Sequence, residues 1–186
     1  MFVVYHEPKV IKNFITDEMC DLLINTDVSS FKTSTTTTND INTKNWRVSK
    51  TKWIPRTYYK VKEIYEKCSK LTNIPITNME DISVIKYEEG GYYKEHTDAN
   101  SKFHRLYTVI IYLNDDYEGG ETEFRRINKK YKLKKGDALF FNNYDSLGNL
   151  TVLSFHSGNE VISGVKYIAN IWMHNKPVYH PDLPHD

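Results

Sequence analysis

The spacing of apolar positions changes character about a third of the way along the chain. In IKNFITDEMCDLLIN, Thr16 is placed to cap a helix, Asp17 and Glu18 fall in its first turn, and Met19, Leu22 and Leu23 recur at helical spacing. A short surface helix is predicted there. A second is predicted from Pro55, after which Tyr58, Val61, Ile64, Tyr65 and Cys68 form one apolar stripe. Between them FKTSTTTTNDINTKN offers little to bury, and its side chains compete with the backbone for hydrogen bonds. Residues 32–45 therefore read as a loop, either an ordinary solvated one or a flap over a site. From Asp81 onward the pattern becomes short runs rich in Ile, Val, Tyr and Phe: DISVIKY, RLYTVIIYL, ETEF, DALFF, TVLSF and VKYIANIWM, each expected to be a strand. Helices followed by many short strands predict an α+β protein, with the helices buttressing one outer face of an antiparallel sandwich or barrel.

Composition narrows this picture. A chain of 186 residues suits one domain with a sizeable core. Its 25 basic and 24 acidic residues nearly cancel, which is not the footprint of a nucleic-acid binder, so no nucleic-acid partner is expected. The opening MFVVYHEPKVIKNF fits neither a signal peptide nor a membrane span, and a cytoplasmic location without a membrane partner is the expectation. Cys20 and Cys68 are too few for a disulfide framework and belong to no metal-ligand spacing, so both read as reduced, structural thiols.

Candidate chemistry begins with YYKEHTDAN. His96 and Asp98 are two residues apart, a spacing that in extended chain aims both side chains to one side. His156, between two strand-like runs, is the best placed third ligand. Two imidazoles and one carboxylate leave coordination positions open, as iron(II) oxygenases require, although the same donors also suit a hydrolytic zinc site. Lys166 separates these readings. An unpaired ammonium in the apolar run VISGVKYIANIWMH is costly to bury, so on an interior face it calls for an anion. Strand parity places Lys166, Trp172 and His174 on one face if no bulge intervenes. Lys166 can then pair with the far carboxylate of a dicarboxylate whose keto-acid end chelates the metal, the arrangement that 2-oxoglutarate needs.

In order along the chain, FITDEMCDLLI, RVSKTKWI, YEEGGYYKEHTD, RLYTVIIYLNDDYEGGETEF, LKKGDALFF and FHSGNEVISGVKYIANIWMH resemble the blocks of the prolyl 4-hydroxylase family of iron(II)/2-oxoglutarate dioxygenases. The resemblance implies a double-stranded β-helix (jelly-roll) core within a single domain over 1–186, helical to about residue 78 and β-helical over about 79–178. It implies Fe(II), 2-oxoglutarate and O2, with succinate and carbon dioxide released and ascorbate as accessory reductant. His96, Asp98 and His156 would hold the metal, Lys166 the distal carboxylate of 2-oxoglutarate, and Tyr87 and Thr122 would help hold it through their hydroxyls. Tyr93, Arg105 and His174 match positions that contact the peptidyl proline, and Trp172 matches a tryptophan close to the site. The expected partner is a proline-containing peptide or protein. Collagen-modifying members carry secretion signals and further domains, so collagen in the secretory pathway is a poor default substrate for this chain. Two other readings stay open: an oxygenase acting on another side chain, a small molecule or a nucleic-acid base, and a binding module that has lost turnover.

Overall fold

The computed structural model describes residues 4–34, 45–99 and 104–178. In chain order its elements are β1 (Lys9–Ile11), α1 (Asp17–Asn25), β2 (Lys32–Thr33), β3 (Arg47–Val48), β4 (Lys50–Ile54), α2 (Lys62–Thr72), β5 (Ile82–Tyr87), β6 (Tyr92–His96) and β7 (Arg105–Tyr112). There follow β8 (Glu118–Gly119), β9 (Thr122–Phe124), β10 (Lys129–Tyr131), β11 (Ala138–Asn142), β12 (His156–Gly158), β13 (Val161–Ser163) and β14 (Lys166–His174). Seven strands form a large sheet in the order β1-β11-β7-β14-β5-β4-β2, and five form a smaller one in the order β10-β9-β12-β6-β3. β13 and β8 make a separate two-stranded piece. All the pairings are antiparallel, with most neighbours distant in sequence, which is the wiring of a jelly roll.

Strand parity divides the apolar residues into two cores. One face of the large sheet presents Ile82, Val84, Val109, Ile111, Ala138, Ala169, Ile171 and Met173, which pack with Cys20 and Leu23 of α1 and Ile64, Tyr65 and Cys68 of α2. The other presents Ile85, Tyr87, Ile110, Tyr112, Leu139, Phe141 and Ile168, which meet Phe124, Val161 and Leu133 between the sheets. The helices therefore back the large sheet from outside, and the second core fills the jelly roll. Cys20 and Cys68 are buried and unpaired. Among the described residues no helix is long and apolar enough to cross a membrane.

Local rules explain the helix ends. Thr16 caps α1 as expected, its hydroxyl accepting from Met19 N at 3.3 Å. At the other end the buried ammonium of Lys52 donates to the carbonyls of Ile24 and Thr26, both at 2.8 Å, and so satisfies groups that the last turn leaves unpaired. The second helix starts later than predicted. Pro55 opens a turn closed by Tyr58 N to Pro55 O, a 3-10 turn covers Tyr59–Val61, and α2 proper begins at Lys62.

Two other expectations need correcting. TVLSF is not a strand, because Thr151 bonds locally: its hydroxyl accepts from Leu153 N and its carbonyl from Ser154 Oγ, turning Val152–Ser154 into a 3-10 turn. His156 consequently begins a strand instead of ending one. The run VISGVKYIANIWMH is two strands divided at Gly164, whose φ of +80° breaks the extended chain. The polar segment before His156 is an organised turn, with Asp145 Oδ1 accepting from Leu147 N and Asn149 N. β1 and β4, with only weak alternation, were not predicted; β1 is one edge of the large sheet and β4 lies one strand in from the other. The threonine-rich loop falls mostly outside the described residues, so neither reading of it is tested, although its first residues form β2 against β4.

Candidate active site

Sheet register builds the metal-ligand constellation. His156, first residue of β12, is the direct antiparallel partner of His96, last residue of β6, so the two imidazoles stand side by side with ring centroids 4.4 Å apart. Asp98 follows His96 in the bend beyond β6. His96 Nε2 lies 3.7 Å from Asp98 Oδ1 and His156 Nε2 lies 3.9 Å from Asp98 Oδ2. One ligand atom from each residue falls within 4.8 Å of the others.

The surroundings set the state of each group. His96 Nδ1 donates to the carbonyl of Lys94 at 2.8 Å and His156 Nδ1 to that of Ser154 at 3.0 Å, which fixes both tautomers and leaves both Nε2 lone pairs directed at the shared space. Burial, reinforced by the neighbouring His156, pushes the His96 imidazole well below its ordinary value and keeps it neutral. Burial alone would raise the Asp98 carboxyl. Charge on the facing imidazoles in their protonated form, the Arg105 guanidinium and a hydrogen bond from Thr108 Oγ1 to Oδ2 at 2.8 Å outweigh it and lower the Asp98 carboxyl. Thr108 is itself held by Asn143 Nδ2 at 3.1 Å, completing a buried chain from β7 and the end of β11. Phe124 and Phe141 clamp the His156 ring at 5.2 and 4.9 Å, and Tyr93 stacks on His96 at 3.6 Å. Two imidazoles and a carboxylate at this spacing suit a divalent first-row metal with open positions.

Lys166, the first residue of β14, points into the inner core with only 1% of its surface exposed. Its Nζ donates to Gly120 O at 2.7 Å, and no carboxylate among the described residues pairs with it. Gly120 permits this approach at φ +67°, since a Cβ there would sit 3.2 Å from Lys166 Cδ. The ammonium lies 5.3 and 5.6 Å from the ring centroids of Tyr87 and Tyr112, and burial lowers it to about 7. Thr122 Oγ1 and Tyr112 OH lie 2.7 Å apart beside it. A buried cation with two unused N–H groups and hydroxyls around it fits an anionic ligand.

Toward solvent the site opens into a cavity of about 770 Å³ lined by His96, Asp98, Tyr93, Arg105 and Trp172, together with Arg47, Trp53 and Glu80. His156 and Lys166 are not in its lining. Glu80 was not anticipated and organises one wall. Its carboxylate takes Arg105 Nε and Nη2 at 2.6 and 2.8 Å and His174 Nε2 at 2.7 Å, and these hydrogen bonds and the Arg105 charge overcome the burial that would otherwise raise it. Arg105 in turn lies 3.8 Å above the Trp172 ring, whose other neighbour is Trp53 at 6.0 Å. The expected parity holds from Lys166 to Trp172, but the register against β7 shifts between Met173 and His174, and His174 reaches the wall through Glu80. Thr108 and Tyr112 were also missed, although they share the inner parity of β7 with Ile110.

Comparison with known proteins agrees with this geometry. The family model described as the 2OG-Fe(II) oxygenase superfamily matches residues 82–174. A protein of Acanthamoeba polyphaga mimivirus bearing the name "Putative prolyl 4-hydroxylase" is 34% identical over 188 residues, covering 92% of this chain and 76% of that protein. Prolyl 4-hydroxylase 1 of Arabidopsis thaliana is 34% identical over 143 residues, covering 66% of this chain and 50% of that protein. Among solved structures, the viral collagen prolyl hydroxylase of Paramecium Bursaria Chlorella virus-1, in its 2OG complex, superposes with a TM-score of 0.72 at 30% identity, covering 90% of this chain and 95% of the other. The chain belongs to the prolyl 4-hydroxylase family of the 2OG-Fe(II) oxygenase superfamily. Its cofactor and cosubstrate are accordingly iron(II) and 2-oxoglutarate, which the donor set and the buried cation fit.

Proposed function

We propose that this chain hydroxylates prolyl residues in peptides or proteins, consuming 2-oxoglutarate and dioxygen and releasing succinate and carbon dioxide. The observation that carries the reading is the pairing of the His96, Asp98 and His156 constellation with a buried Lys166 that forms no ion pair among the described residues. Iron(II) held by those three residues would supply the activation of dioxygen that side chains cannot perform. The chain's own work is positional. Lys166 binds the distal carboxylate of 2-oxoglutarate, with the Thr122 and Tyr87 hydroxyls filling its remaining lone pairs. Tyr93, Arg105, Trp172 and His174 receive the proline, where Glu80 holds Arg105 and His174 in place and Trp172 supplies an apolar surface. Ascorbate belongs to the same reading, as the reductant that restores iron oxidised in uncoupled turnover.

The test is incubation of the iron-loaded protein with 2-oxoglutarate, oxygen and a panel of proline-rich peptides, collagen-type repeats included, with non-proline controls. Mass spectrometry is expected to find one added oxygen on proline. Oxidation of a control side chain with proline untouched would move the target elsewhere.

Two further outcomes follow from the site. Thr108→Val removes the hydrogen bond to Asp98 and leaves Asn143 Nδ2 unpaired, so iron(II) affinity should fall about 10- to 100-fold in an anaerobic titration. Unchanged affinity would show that Asp98 is oriented without Thr108. The second concerns pH. Lys166 in the folded protein titrates near 7, far below its unfolded value, so between about pH 7 and 10 the unfolded chain holds a proton that the fold does not. Stability contributed by this group therefore rises with pH across that window when 2-oxoglutarate is absent. A bound dicarboxylate needs the charged ammonium, so 2-oxoglutarate affinity should weaken as pH rises above about 7. Calorimetry at several pH values reads both trends, and a flat affinity would remove Lys166 from cosubstrate binding.

A further inference from the structure

One wall of the cavity carries positive charge that no acid among the described residues balances. Arg47, on β3, directs Nε to Ser49 Oγ at 2.7 Å and Nη2 to Thr51 Oγ1 at 3.1 Å. Those hydroxyls form a closed group with Ser34, through Ser49 Oγ to Ser34 Oγ at 2.7 Å and Ser34 Oγ to Thr51 Oγ1 at 2.6 Å. They fix the guanidinium without neutralising it. Its charge partly offsets the burial that raises the Tyr87 hydroxyl, and the Tyr93 ring lies 4.8 Å from its central carbon. No Asp or Glu among the described residues forms an ion pair with Arg47 or with Lys32, which lines the same cavity. The other charges there are already matched: Glu80 holds Arg105 and His174, Asp98 belongs to the metal constellation, and Lys52 is bound by two carbonyls. A guanidinium has five N–H donors in a rigid fork suited to a carboxylate, and two of them are used by hydroxyls.

We propose that Arg47, set by Ser34, Ser49 and Thr51, is a specificity subsite for a carboxylate side chain of the peptide substrate, close in sequence to the target proline. This rests on the prolyl hydroxylation reading. The separation follows from a stack: Tyr93 is sandwiched between the Arg47 guanidinium and the His96 imidazole, so the subsite stands one aromatic ring away from a metal ligand. An extended peptide rises about 3.1 Å per residue as polyproline II, which places the acidic residue roughly one to three positions from the proline. A glutamate or aspartate there gains a charge-assisted bond in a partly dry site, a neutral residue gains little, and a lysine is repelled.

The experiment uses the full chain with iron(II) and 2-oxoglutarate and one peptide scaffold, with Glu, Gln or Lys placed in turn at each of the three positions on either side of a single proline. At one or more positions the Glu peptide is expected to exceed the Gln peptide about tenfold in kcat/KM, with the Lys peptide lowest. The Glu preference should shrink as salt is raised, which reads the wild-type protein alone. In Arg47→Gln the ratio of Glu to Gln peptide should fall to about one, and a general loss of activity cancels in that ratio. Equal rates for Glu and Gln peptides at all positions would overturn the subsite while leaving prolyl hydroxylation intact. So would an Arg47→Gln variant that kept the ratio and raised only the KM for 2-oxoglutarate, which would assign Arg47 to the cosubstrate. Absence of hydroxyproline from every peptide would instead overturn the substrate reading, and the subsite with it.

Discussion

Replacing His96 by alanine should abolish coupled turnover, with a loss of about a thousandfold or more, while leaving the fold intact. The ring contributes one of three ligand atoms gathered within 4.8 Å, and the two left behind, Asp98 and His156, cannot by themselves fix the metal's geometry. His96 stacks on Tyr93 at the end of β6 but belongs to neither apolar core, so its loss leaves both cores in place. Anaerobic iron(II) titration and thermal melting separate the effects. The wild-type protein should gain stability on adding iron, by about 2.7 kcal/mol at a hundredfold excess over Kd, and His96→Ala should gain far less under the same conditions. Full activity in His96→Ala would place the metal elsewhere.

Lys166→Met carries the second largest effect, and its two parts have opposite signs. Removing the ammonium should raise the KM for 2-oxoglutarate by about a hundredfold or more, because truncating one partner of a buried charge pair costs about 2–5 kcal/mol. Without cosubstrate the same change should stabilise the protein. The wild-type ammonium is buried against Tyr87 and Tyr112 with a single carbonyl as partner, whereas methionine fills a similar volume without a charge to desolvate. About 1 kcal/mol would move the melting midpoint by roughly 2–8 °C. A variant that melts lower and binds 2-oxoglutarate normally would mean that Lys166 is a packing residue.

These residues were legible to different degrees, for physical reasons. His96 and Asp98 could be read because an i, i+2 pair in extended chain shares a side. Lys166 could be read because a cation in an apolar strand is costly. His156 was found by elimination, and its immediate context was misread: the Thr151 hydroxyl diverts TVLSF into a 3-10 turn, a local bond that apolar patterning does not register. Tyr112 and Thr108 lay within reach of the same parity argument, since both alternate with the outward Val109 and Ile111 on β7. Glu80 and Arg47 carried no such signal. Each depends on partners far along the chain, Arg105 and His174 for one and Tyr93 for the other, and only the paired strands bring them together. The edge strand β1 and its counterpart β4, one strand in from the other edge, carry little alternation of apolar and polar residues for the sequence to show.

In coupled prolyl hydroxylation the two atoms of dioxygen go to two different products. With isotopically labelled dioxygen, iron(II), unlabelled 2-oxoglutarate and a proline-rich peptide, one labelled oxygen is expected in hydroxyproline and one in succinate, in equal amounts. Lys166→Met should slow both products together. Succinate formed at the same rate with and without peptide, or an unlabelled hydroxyl on the proline, would contradict the assignment of this site to coupled prolyl hydroxylation.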